Sequence, residues 1–370
     1  MSNGTSESLL PTIPGQLVQN PYLSELQRHT SSLFGLDVSG HREPRFPGAQ
    51  PISFNKSHLE ELESENYFVS EKADGIRCLM LTHKNPKTHR NETFLIDRKN
   101  AYYFLDFSLP QPDDINSWQV DTVLDGELVL DIEKGQRKLW FLLFDCVILQ
   151  GERLIEKPYT KRLGRLNEFV LKPYKQLYRE SSSYARKLPF KLDVKPLELA
   201  YHVSRVFDQI PNLKHKNDGV IFTSSVAPYS IGTCNKMLKW KPSEENTVDF
   251  KVDGPDIDGR FYIMLNRGSN AGNGGHVRFD EFTLAEDMYQ EWIAMPPTGR
   301  IIECKYDPDW PGKWKFSRYR DDKDMANHET VYHKIMDSIR DNVNQSELIA
   351  HESAVRDHWK EREMQQQYLH

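Results

Sequence analysis

Several features that mark particular protein classes are scarce or missing in this sequence. Only four cysteines occur among 370 residues, spread widely and without a Cys-x-x-Cys pair. This argues against a disulfide framework and a structural zinc site, and it fits a reducing compartment. The 13 histidines form no His-Glu-x-x-His or comparable ligand motif. No apolar run approaches the roughly 20 residues of a membrane-spanning helix, so we expect no membrane association.

The composition is that of a soluble globular protein, with 38% hydrophobic and 28% charged residues. A chain of 370 residues is long enough for two domains. Residues 1–15 are rich in Ser, Thr, Gly and Pro and lack the apolar core of a signal peptide, so we expect a disordered lead. The patterns below predict a partly disordered or helical lead over 1–45, a large domain over 46–242, a small domain over 243–325 and terminal helices over 326–370 that pack on the large domain.

The net charge of −6 argues weakly against a nucleic-acid partner, but the charge is unevenly distributed. Residues 151–195 contain 12 Lys and Arg against 5 Asp and Glu. Composition alone favours a solvated helical surface here. A patch that binds phosphates is the alternative, and both interpretations stay open.

Strand patterns dominate the first two thirds of the chain. Residues 67–71 and 76–81 predict two strands joined by a turn at Ala73-Asp74-Gly75. Residues 93–98 and 102–105 predict a second hairpin. Apolar residues at helical spacing predict a helix over 161–174, with Leu163, Leu166, Phe169 and Val170 on one face. Further strands are predicted at 122–130, 138–149, 219–222 and 237–240, and a second helix at 197–210.

The pattern changes after Pro242, where several short strands between 247 and 306 predict a small antiparallel barrel. Apolar residues spaced by four from Val331 to Val343 predict a helix, and Asn344 with Glu347 resembles a capping box that begins another. The predicted fold class is therefore α+β. A domain of antiparallel sheets with flanking helices precedes an OB-fold barrel and terminal helices.

Six short motifs carry candidate chemistry, and each has a structural explanation when taken alone. An Asp-Gly pair is common in turns, a strand bulge can expose a carboxylate, and lysines often protect an edge strand. Their conjunction in one order is more specific. The motifs are Glu71-Lys72-Ala73-Asp74-Gly75-Ile76-Arg77, Ile96-Asp97-Arg98, Asp125-Gly126-Glu127-Leu128, Asp218-Gly219-Val220-Ile221-Phe222, Leu238-Lys239-Trp240-Lys241-Pro242 and Arg318-Tyr319-Arg320-Asp321-Asp322-Lys323.

This order, between Phe46 and Asn327, resembles the covalent nucleotidyltransferase superfamily of mRNA capping enzymes and ATP- or NAD-dependent polynucleotide ligases. The last motif and the stretch Phe46 to Phe54 resemble the stand-alone guanylyltransferases of fungi. The chain has no His-Cys-x-x-Gly-x-x-Arg phosphatase signature and no large ligase-type DNA-binding domain ahead of the motifs. We therefore expect a separate RNA 5′-triphosphatase subunit.

The resemblance implies a two-step reaction. The Lys72 amine attacks the α-phosphate of GTP and expels pyrophosphate, and a 5′-diphosphate RNA end then takes the GMP as a cap. The amine must be neutral to attack, whereas an ordinary lysine is mostly protonated near neutral pH. Repulsion from Lys239 and Lys241 would favour loss of that proton, and Mg²⁺ or Mn²⁺ would stabilise the phosphoryl charge.

The resemblance also implies roles for the other motif residues. Arg77 and Glu127 are expected at the ribose, Arg98 near the sugar or phosphates, and Glu127 and Asp218 at the metal. Arg320 and Lys323 are expected to reach the β- and γ-phosphates when a cleft closes about a hinge at 242–246, with Asp322 orienting the pyrophosphate. The remaining expected nucleotide-binding residues are Glu71, Asp125, Gly126, Lys239, Trp240, Lys241 and Arg318.

Fungal guanylyltransferases dock on the phosphorylated C-terminal tail of RNA polymerase II, which implies a nuclear location. The basic stretch could supply this site or a path for RNA. Two other functions stay open: an ATP-dependent polynucleotide ligase, and a catalytically dead scaffold that binds the polymerase tail. The candidate docking residues are Arg153, Lys157, Lys161, Arg162, Tyr174 and Lys175.

Overall fold

The computed structural model describes residues 11–37, 44–242, 246–268, 275–341 and 343–367. The chain divides into two compact units. The first comprises residues 1–52, 61–239 and 351–370, and the second comprises residues 53–60 and 240–350. Residues 1–10, where a disordered lead was expected, lie outside the described residues. No described helix is long and apolar enough to cross a bilayer.

The elements up to residue 240 are mostly strands. Those strands are β1 (Gln16–Leu17), β2 (Ala49–Ser53), β3 (Tyr67–Ala73), β4 (Ile76–Lys84), β5 (Asn91–Ile96), β6 (Tyr102–Leu105), β7 (Thr122–Glu133), β8 (Gln136–Leu149), β9 (Glu152–Arg153), β10 (Lys191–Val194), β11 (Glu198–Leu199), β12 (Asn217–Ser224) and β13 (Gly232–Trp240). The α-helices of this part are α1 (Tyr22–Leu33), α2 (Ser57–Ser64), α3 (Tyr159–Arg165), α4 (Lys172–Glu180), α5 (Ser182–Lys187) and α6 (Val203–Gln209).

These strands form two sheets. The larger has the order β1-β6-β5-β4-β7-β8-β10 with β9 also paired to β8, and the smaller has the order β11-β3-β12-β13-β2. The pairings of the larger sheet are antiparallel except for β10, which runs parallel to β8. The predicted hairpin of 93–105 is confirmed as β5 and β6. The predicted α+β class of antiparallel sheets with flanking helices is likewise confirmed.

The predicted hairpin between residues 67–71 and 76–81 is wrong. β3 pairs with β12, and β4 pairs with β5 and β7, so the Asp74-Gly75 turn carries the chain from the smaller sheet to the larger one. A Cβ at Gly75 would lie 2.2 Å from the Leu128 carbonyl oxygen, so no larger residue fits without backbone movement. Lys72 is accordingly a strand residue near the end of β3.

Both faces of the larger sheet are buried, as its apolar strands predict. On one face, Leu79 and Leu81 of β4 pack in a cluster that includes Leu26 of α1 and Met237 of the smaller sheet. On the other face, Met80 lies in a cluster with Val170 and residues of α4. The smaller sheet and the helices therefore enclose the strands that carry the central motifs.

The predicted helix over 161–174 is longer and contains an irregularity. α3 continues through a π-helical segment, Leu166–Leu171, into α4. Pro173 has no N–H to donate to the carbonyl of Phe169 four residues earlier. The buried Gln119 side chain donates to that carbonyl instead, over 2.8 Å. The second predicted helix, 197–210, is a 3-10 turn followed by α6.

The described part of the lead is ordered, contrary to the expectation for residues up to 15. Pro11 is buried, Ile13 packs against the core of the larger sheet, and β1 pairs with the edge strand β6. α1 then follows and buries Leu26. Apolar residues scattered among the polar ones, rather than overall composition, fix this segment.

The second unit contains a five-stranded antiparallel sheet that confirms the predicted barrel domain. The strand order β16-β15-β14-β17-β18 is that of an OB fold. Phe250, Phe261 and the fully buried Trp292 fill its core. Its elements are β14 (Thr247–Asp253), β15 (Phe261–Asn266), β16 (His276–Phe282), α7 (Glu286–Ala294), β17 (Ile301–Tyr306), β18 (Trp314–Tyr319), α8 (Glu329–Asp341) and α9 (Gln345–Ala350).

The terminal helices do not form the single block expected over 326–370. Tyr332 of α8 packs on Phe250 within the second unit. The last helix, α10 (Glu352–Gln367), belongs to the first unit, where Trp359 packs on Phe68 and Tyr201. At the start of α9 the Asn344 side chain accepts a hydrogen bond of 2.9 Å from the backbone N–H of Glu347, which confirms that half of the predicted capping box.

Candidate active site

Lys72 is held by a carboxylate from the neighbouring strand. Its Nζ donates a hydrogen bond of 2.5 Å to Asp218 Oδ1, and the two side chains are 19% and 21% exposed. The two residues are 146 positions apart in sequence. The fold thus brings together the predicted nucleophile and one of the two predicted metal ligands.

A bulge in β12 directs Asp218 towards Lys72. The register with β3 shifts between Asn217 and Val220, so two residues, Asp218 and Gly219, oppose the single residue Lys72 of β3. The Asn217 side chain fixes this bulge, because it accepts from the Gly219 N–H and donates to the Gly219 carbonyl, both over 3.0 Å. The Asp-Gly pair of this motif is therefore a bulge, where the sequence suggested either a turn or a site.

The preceding residue, Glu71, faces a buried network of charges. Lys195 Nζ lies 3.2 Å from Glu71 Oε1, and the His215 ring lies 3.4 Å from the same oxygen and 2.8 Å from Asp131. Burial by itself raises the pKa of Glu71, but Lys195, His215 and Asn217 outweigh it and lower that pKa to about 2. Successive strand residues point to opposite faces, so this network backs the strand that carries Lys72.

Lys195 links Glu71 to Glu127. Its Nζ lies 3.8 Å from Glu127 Oε2. Lys195 directly follows β10, and its backbone N–H donates to the carbonyl of Leu143 on β8. Lys195 is 3% exposed, which is rare for a lysine and requires such paired carboxylates. Sequence reasoning counted Lys195 only as part of a basic stretch. The available signal for this buried role was that Lys195 directly follows an apolar strand.

Arg77 and Asp125 form a buried pair. Arg77 Nε donates to Asp125 Oδ1 over 2.9 Å, its second nitrogen reaches Oδ2, and its third donates to the Ala49 carbonyl. The Tyr229 hydroxyl also donates to Asp125 Oδ2 over 2.6 Å. Asp125 is fully buried and its oxygens are engaged. Asp125 therefore holds Arg77, and its expected nucleotide contact stays a prediction.

Strand packing accounts for the glycine at position 126. A Cβ there would lie 2.8 Å from the Phe141 ring and 2.9 Å from the Leu142 carbonyl oxygen of β8. This close approach follows a register shift between β7 and β8 at Asp125 and Gly126. Beyond β5, Arg98 is solvent-exposed, and its expected place near the sugar stays a prediction.

The Leu238-Lys239-Trp240-Lys241-Pro242 motif divides into two kinds of residue. Lys239, on β13, and Lys241 are partly exposed, and Lys239 belongs to the same sheet as Lys72 with one strand between them. Trp240 is buried, and its indole N–H donates to the Val343 carbonyl over 2.7 Å. Trp240 is therefore a buried side chain, and its expected nucleotide contact stays a prediction.

In the second unit, the Arg318-to-Lys323 motif folds around buried Asp249. Arg320 lies 3.0 Å from Asp249, Lys323 is paired with the same carboxylate, and Arg320 also forms a two-pronged pair of 2.8 Å with Asp322. Arg320 lowers the pKa of Asp322 to about 2. Arg318 pairs with Glu303 over 2.7 Å. The cations expected to bind phosphates are thus collected in one place by acidic partners.

The basic stretch contributes fewer surface cations than its charge count suggests. Arg162 is 3% exposed and pairs with buried Asp145 over 2.8 Å, and Tyr174 is buried with its hydroxyl accepting from the Leu192 N–H. Both expected docking residues are therefore buried rather than exposed at the surface. Lys175 is exposed but pairs with Asp193. Of the other expected docking residues, Arg153, Lys157 and Lys161 are exposed.

A surface pocket of about 350 Å³ lies beside these exposed cations. Lys157, Lys161 and Arg165 line it together with Glu152, Leu154 and Pro158. Arg165, which sequence reasoning did not single out, is held over the Phe169 ring at 4.9 Å. Three cations against one carboxylate make this pocket attractive to an anion.

The arrangement around Lys72 suits covalent transfer to an amine. A partly exposed lysine is pinned by one carboxylate, a second carboxylate, Glu127, lies beyond a buried lysine, and Arg77 is held rigidly by Asp125. Oxygen ligands such as Asp218 and Glu127 fit Mg²⁺ or Mn²⁺. An attacking amine with preorganised cations and carboxylates is what phosphoryl transfer requires.

Comparisons with known proteins agree over nearly the whole chain. Residues 11–243 match the family described as "mRNA capping enzyme, catalytic domain", and residues 245–349 match "mRNA capping enzyme, C-terminal domain". The chain is 35% identical over 357 residues to the "mRNA-capping enzyme subunit alpha" of Neurospora crassa, covering 87% of this chain and 88% of that protein. It is 34% identical to the Schizosaccharomyces pombe protein of the same name, covering 94% and 88%. A mycobacterial DNA ligase D complexed with ATP and MES has a TM-score of 0.38 at 14% identity, covering 75% of this chain and 95% of that one.

Proposed function

Because this chain belongs to the mRNA capping enzyme family, we propose that it is a GTP:RNA guanylyltransferase in which Lys72 carries GMP. The observation that carries the proposal is the Lys72–Asp218 pair at the junction of the two sheets. The Lys72 nitrogen attacks the α-phosphorus of GTP and loses a proton. The bond from that phosphorus to the bridging oxygen breaks, and pyrophosphate leaves.

Asp218 positions Lys72, because the hydrogen bond between them fixes the amine near the end of β3. Lys239 and Lys241 are cations that the phosphates of an entering nucleotide would attract. A bound Mg²⁺ or Mn²⁺, held by Asp218 and Glu127, would supply charge stabilisation at the phosphoryl oxygens. The network behind Glu71 keeps the strand rigid during this exchange.

We propose the ribose and phosphate contacts from the charged residues of each unit. Arg77 is immobilised by Asp125 and retains donors for a sugar hydroxyl. Arg98 is the second cation that we propose near the sugar. In the second unit, Arg320 and Lys323 bind the β- and γ-phosphates when these replace Asp249 as their anionic partner. Asp322 orients Arg320 by its two-pronged pair.

In the second step an oxygen of a 5′-diphosphate RNA end attacks the phosphorus held on Lys72. The bond from phosphorus to Nζ breaks, and the amine takes up a proton. Because the acceptor is a diphosphate, a triphosphatase must first remove the terminal phosphate of nascent RNA. The fungal relatives are named as subunit alpha, which supports a second subunit with this activity. We infer a nuclear location from the same reaction.

The pocket lined by Lys157, Lys161 and Arg165 is the docking site that we propose for the phosphorylated tail of RNA polymerase II. Phosphoserine binds where two or three cations converge.

Lys157→Glu with Lys161→Glu should weaken binding of a phosphoserine tail peptide at least about tenfold in fluorescence anisotropy. Lys172→Glu, an exposed lysine that follows on the same helical run, is the matched control. Equal loss in both proteins, or loss of single-stranded RNA binding alone, would contradict this assignment.

The experiment that tests the function compares nucleotides. The purified chain is incubated with Mg²⁺ and GTP or ATP labelled at the α-phosphate, then denatured in detergent and separated. The proposal predicts a labelled band from GTP that is lost in acid, because a phosphorus–nitrogen bond hydrolyses there, and that passes to 5′-diphosphate RNA. Label from ATP but not GTP would instead show a ligase, and no label with intact peptide binding would show a scaffold.

A further inference from the structure

We propose that His29, His83 and Asp121 form a binding site for a divalent transition-metal ion of the zinc class, separate from the proposed active site. The three residues come from different elements. His29 lies on α1, His83 near the end of β4, and Asp121 immediately before β7. One ligand atom from each residue lies within 4.8 Å of the other two. Sequence spacing could not indicate this site, because long-range strand pairing creates it.

The distances suit three ligands converging on one point. His29 Nε2 lies 2.7 Å from Asp121 Oδ1, and His83 Nδ1 lies 3.7 Å from the same oxygen. The two imidazole rings are 4.5 Å apart between centroids. Two ligands about 2 Å from a tetrahedral zinc ion lie roughly 3.3 Å apart, so small rotations of these side chains would close the site.

The buried His83 ring provides an independent indication of a ligand. Its side chain is 9% exposed, and its Nδ1 has no hydrogen-bond partner. Buried ring nitrogens normally have a partner, because burying an unsatisfied polar atom is costly. This nitrogen lies 3.7 Å from Asp121 Oδ1, and that oxygen accepts a hydrogen bond from the His29 ring. A metal ion between the three groups would satisfy both rings at once.

The backbone at Asp121 supports a fixed carboxylate. Asp121 has φ of 52°, a left-handed conformation that Asp and Asn adopt more readily than other non-glycine residues. Its carbonyl accepts a hydrogen bond of 2.9 Å from the Gly151 N–H, which holds this turn. The carboxylate is thus held in a fixed position.

The ligand types select the class of metal. Imidazole nitrogens suit Zn²⁺ and its transition-metal neighbours, whereas Mg²⁺ and Ca²⁺ prefer sites made of oxygen ligands. Three protein ligands leave a fourth tetrahedral position for water. His83 is six residues along β4 from Arg77, or about 20 Å at strand spacing. The ion would therefore not take part in guanylyl transfer, and it would fasten α1 to the larger sheet.

The test uses the full-length protein after treatment with a chelator and dialysis. Zn²⁺ and Co²⁺ are titrated separately, with bound metal measured by mass spectrometry, the Co²⁺ absorption spectrum recorded, and Tm followed. We expect one ion per chain, a spectrum of nitrogen and oxygen ligands, and a Tm that rises with Zn²⁺. Asp121→Asn keeps the left-handed backbone and removes the charge, and should weaken binding at least about tenfold, as should His83→Asn.

His89→Asn is the matched control, since His89 is exposed and also has a positive φ after β4. It should bind the metal as the unmodified chain does. If His83→Asn fails to fold by circular dichroism, His29→Asn on the partly exposed helix face replaces it. No bound metal in the unmodified chain, or affinity retained in both Asp121→Asn and the histidine variant, would overturn the proposal. Guanylyl transfer by the variants, measured in parallel, separates this result from the fate of the proposed function.

Discussion

The buried pair of Arg77 and Asp125 gives a prediction whose size follows from the structure. Arg77 is 7% exposed and Asp125 is not exposed at all. Asp125→Asn preserves the shape of the side chain but leaves the guanidinium charge without its counter-ion. Removing one partner of such a pair costs about 3–5 kcal/mol, because the remaining charge stays buried. For a unit of this size that loss corresponds to a fall in Tm of roughly 6–20 °C.

Differential scanning calorimetry measures this effect, since it can resolve a transition of the first unit from one of the second. Asp193→Asn is the matched control. Its partner Lys175 and its own carboxylate are 49% and 40% exposed, so the loss should stay below about 1 kcal/mol. The reasoning is refuted if the two variants lose the same stability. If Asp125→Asn melts normally but loses GTP labelling, then Asp125 contacts the nucleotide after all.

Three further predictions concern the charged groups around the proposed site. Burial lowers the pKa of His215, but Glu71 and Asp131 outweigh it and raise that pKa above 6.5. The stability lost in His215→Gln should therefore be greatest below about pH 6.5 and should shrink as the pH rises through the raised pKa. Urea unfolding across that pH range checks this prediction. Asp218→Asn should slow labelling of the protein about 10²-fold with little change in Tm, and an unchanged rate would exclude a role for this carboxylate. Asp249→Asn removes the carboxylate that Arg320 and Lys323 share, so inhibition of labelling by pyrophosphate should strengthen roughly fivefold. Asp321→Asn should leave this inhibition unchanged, and equal inhibition in the two variants would contradict the proposed exchange of partners.

Local sequence patterns predicted the strands of the larger sheet, and the order of the motifs grouped the candidate site residues. Apolar runs on both sides of single polar residues indicated the larger sheet, and the motif order brought Lys72 and Asp218 into one prediction although 146 residues separate them. The same local patterns failed for the turn after Lys72. An Asp-Gly pair predicts a hairpin equally well whether the next strand joins the same sheet or another, and only the long-range pairing of β3 with β12 decides.

Charge and residue type also failed where burial determines the role. Arg162 contributed to a basic stretch in sequence, but its partner Asp145 lies on a strand that the count did not include. Trp240 stands between two lysines of a motif, yet the alternation of side chains along β13 places it on the buried face of that strand. Lys195 looked like a surface charge and is a buried link between two carboxylates. In each case the deciding contact comes from a distant part of the chain.

The most direct test of the central claim is to identify the residue that carries GMP. The protein is incubated with GTP and Mg²⁺, digested at alkaline pH and sequenced by mass spectrometry, beside a Lys72→Arg variant. Arginine keeps the charge and the pairing with Asp218 but cannot become a neutral nucleophile, so the variant should fold normally and carry no GMP. We predict GMP on Lys72 alone. A GMP adduct on another lysine, or on the Lys72→Arg protein, would contradict the account.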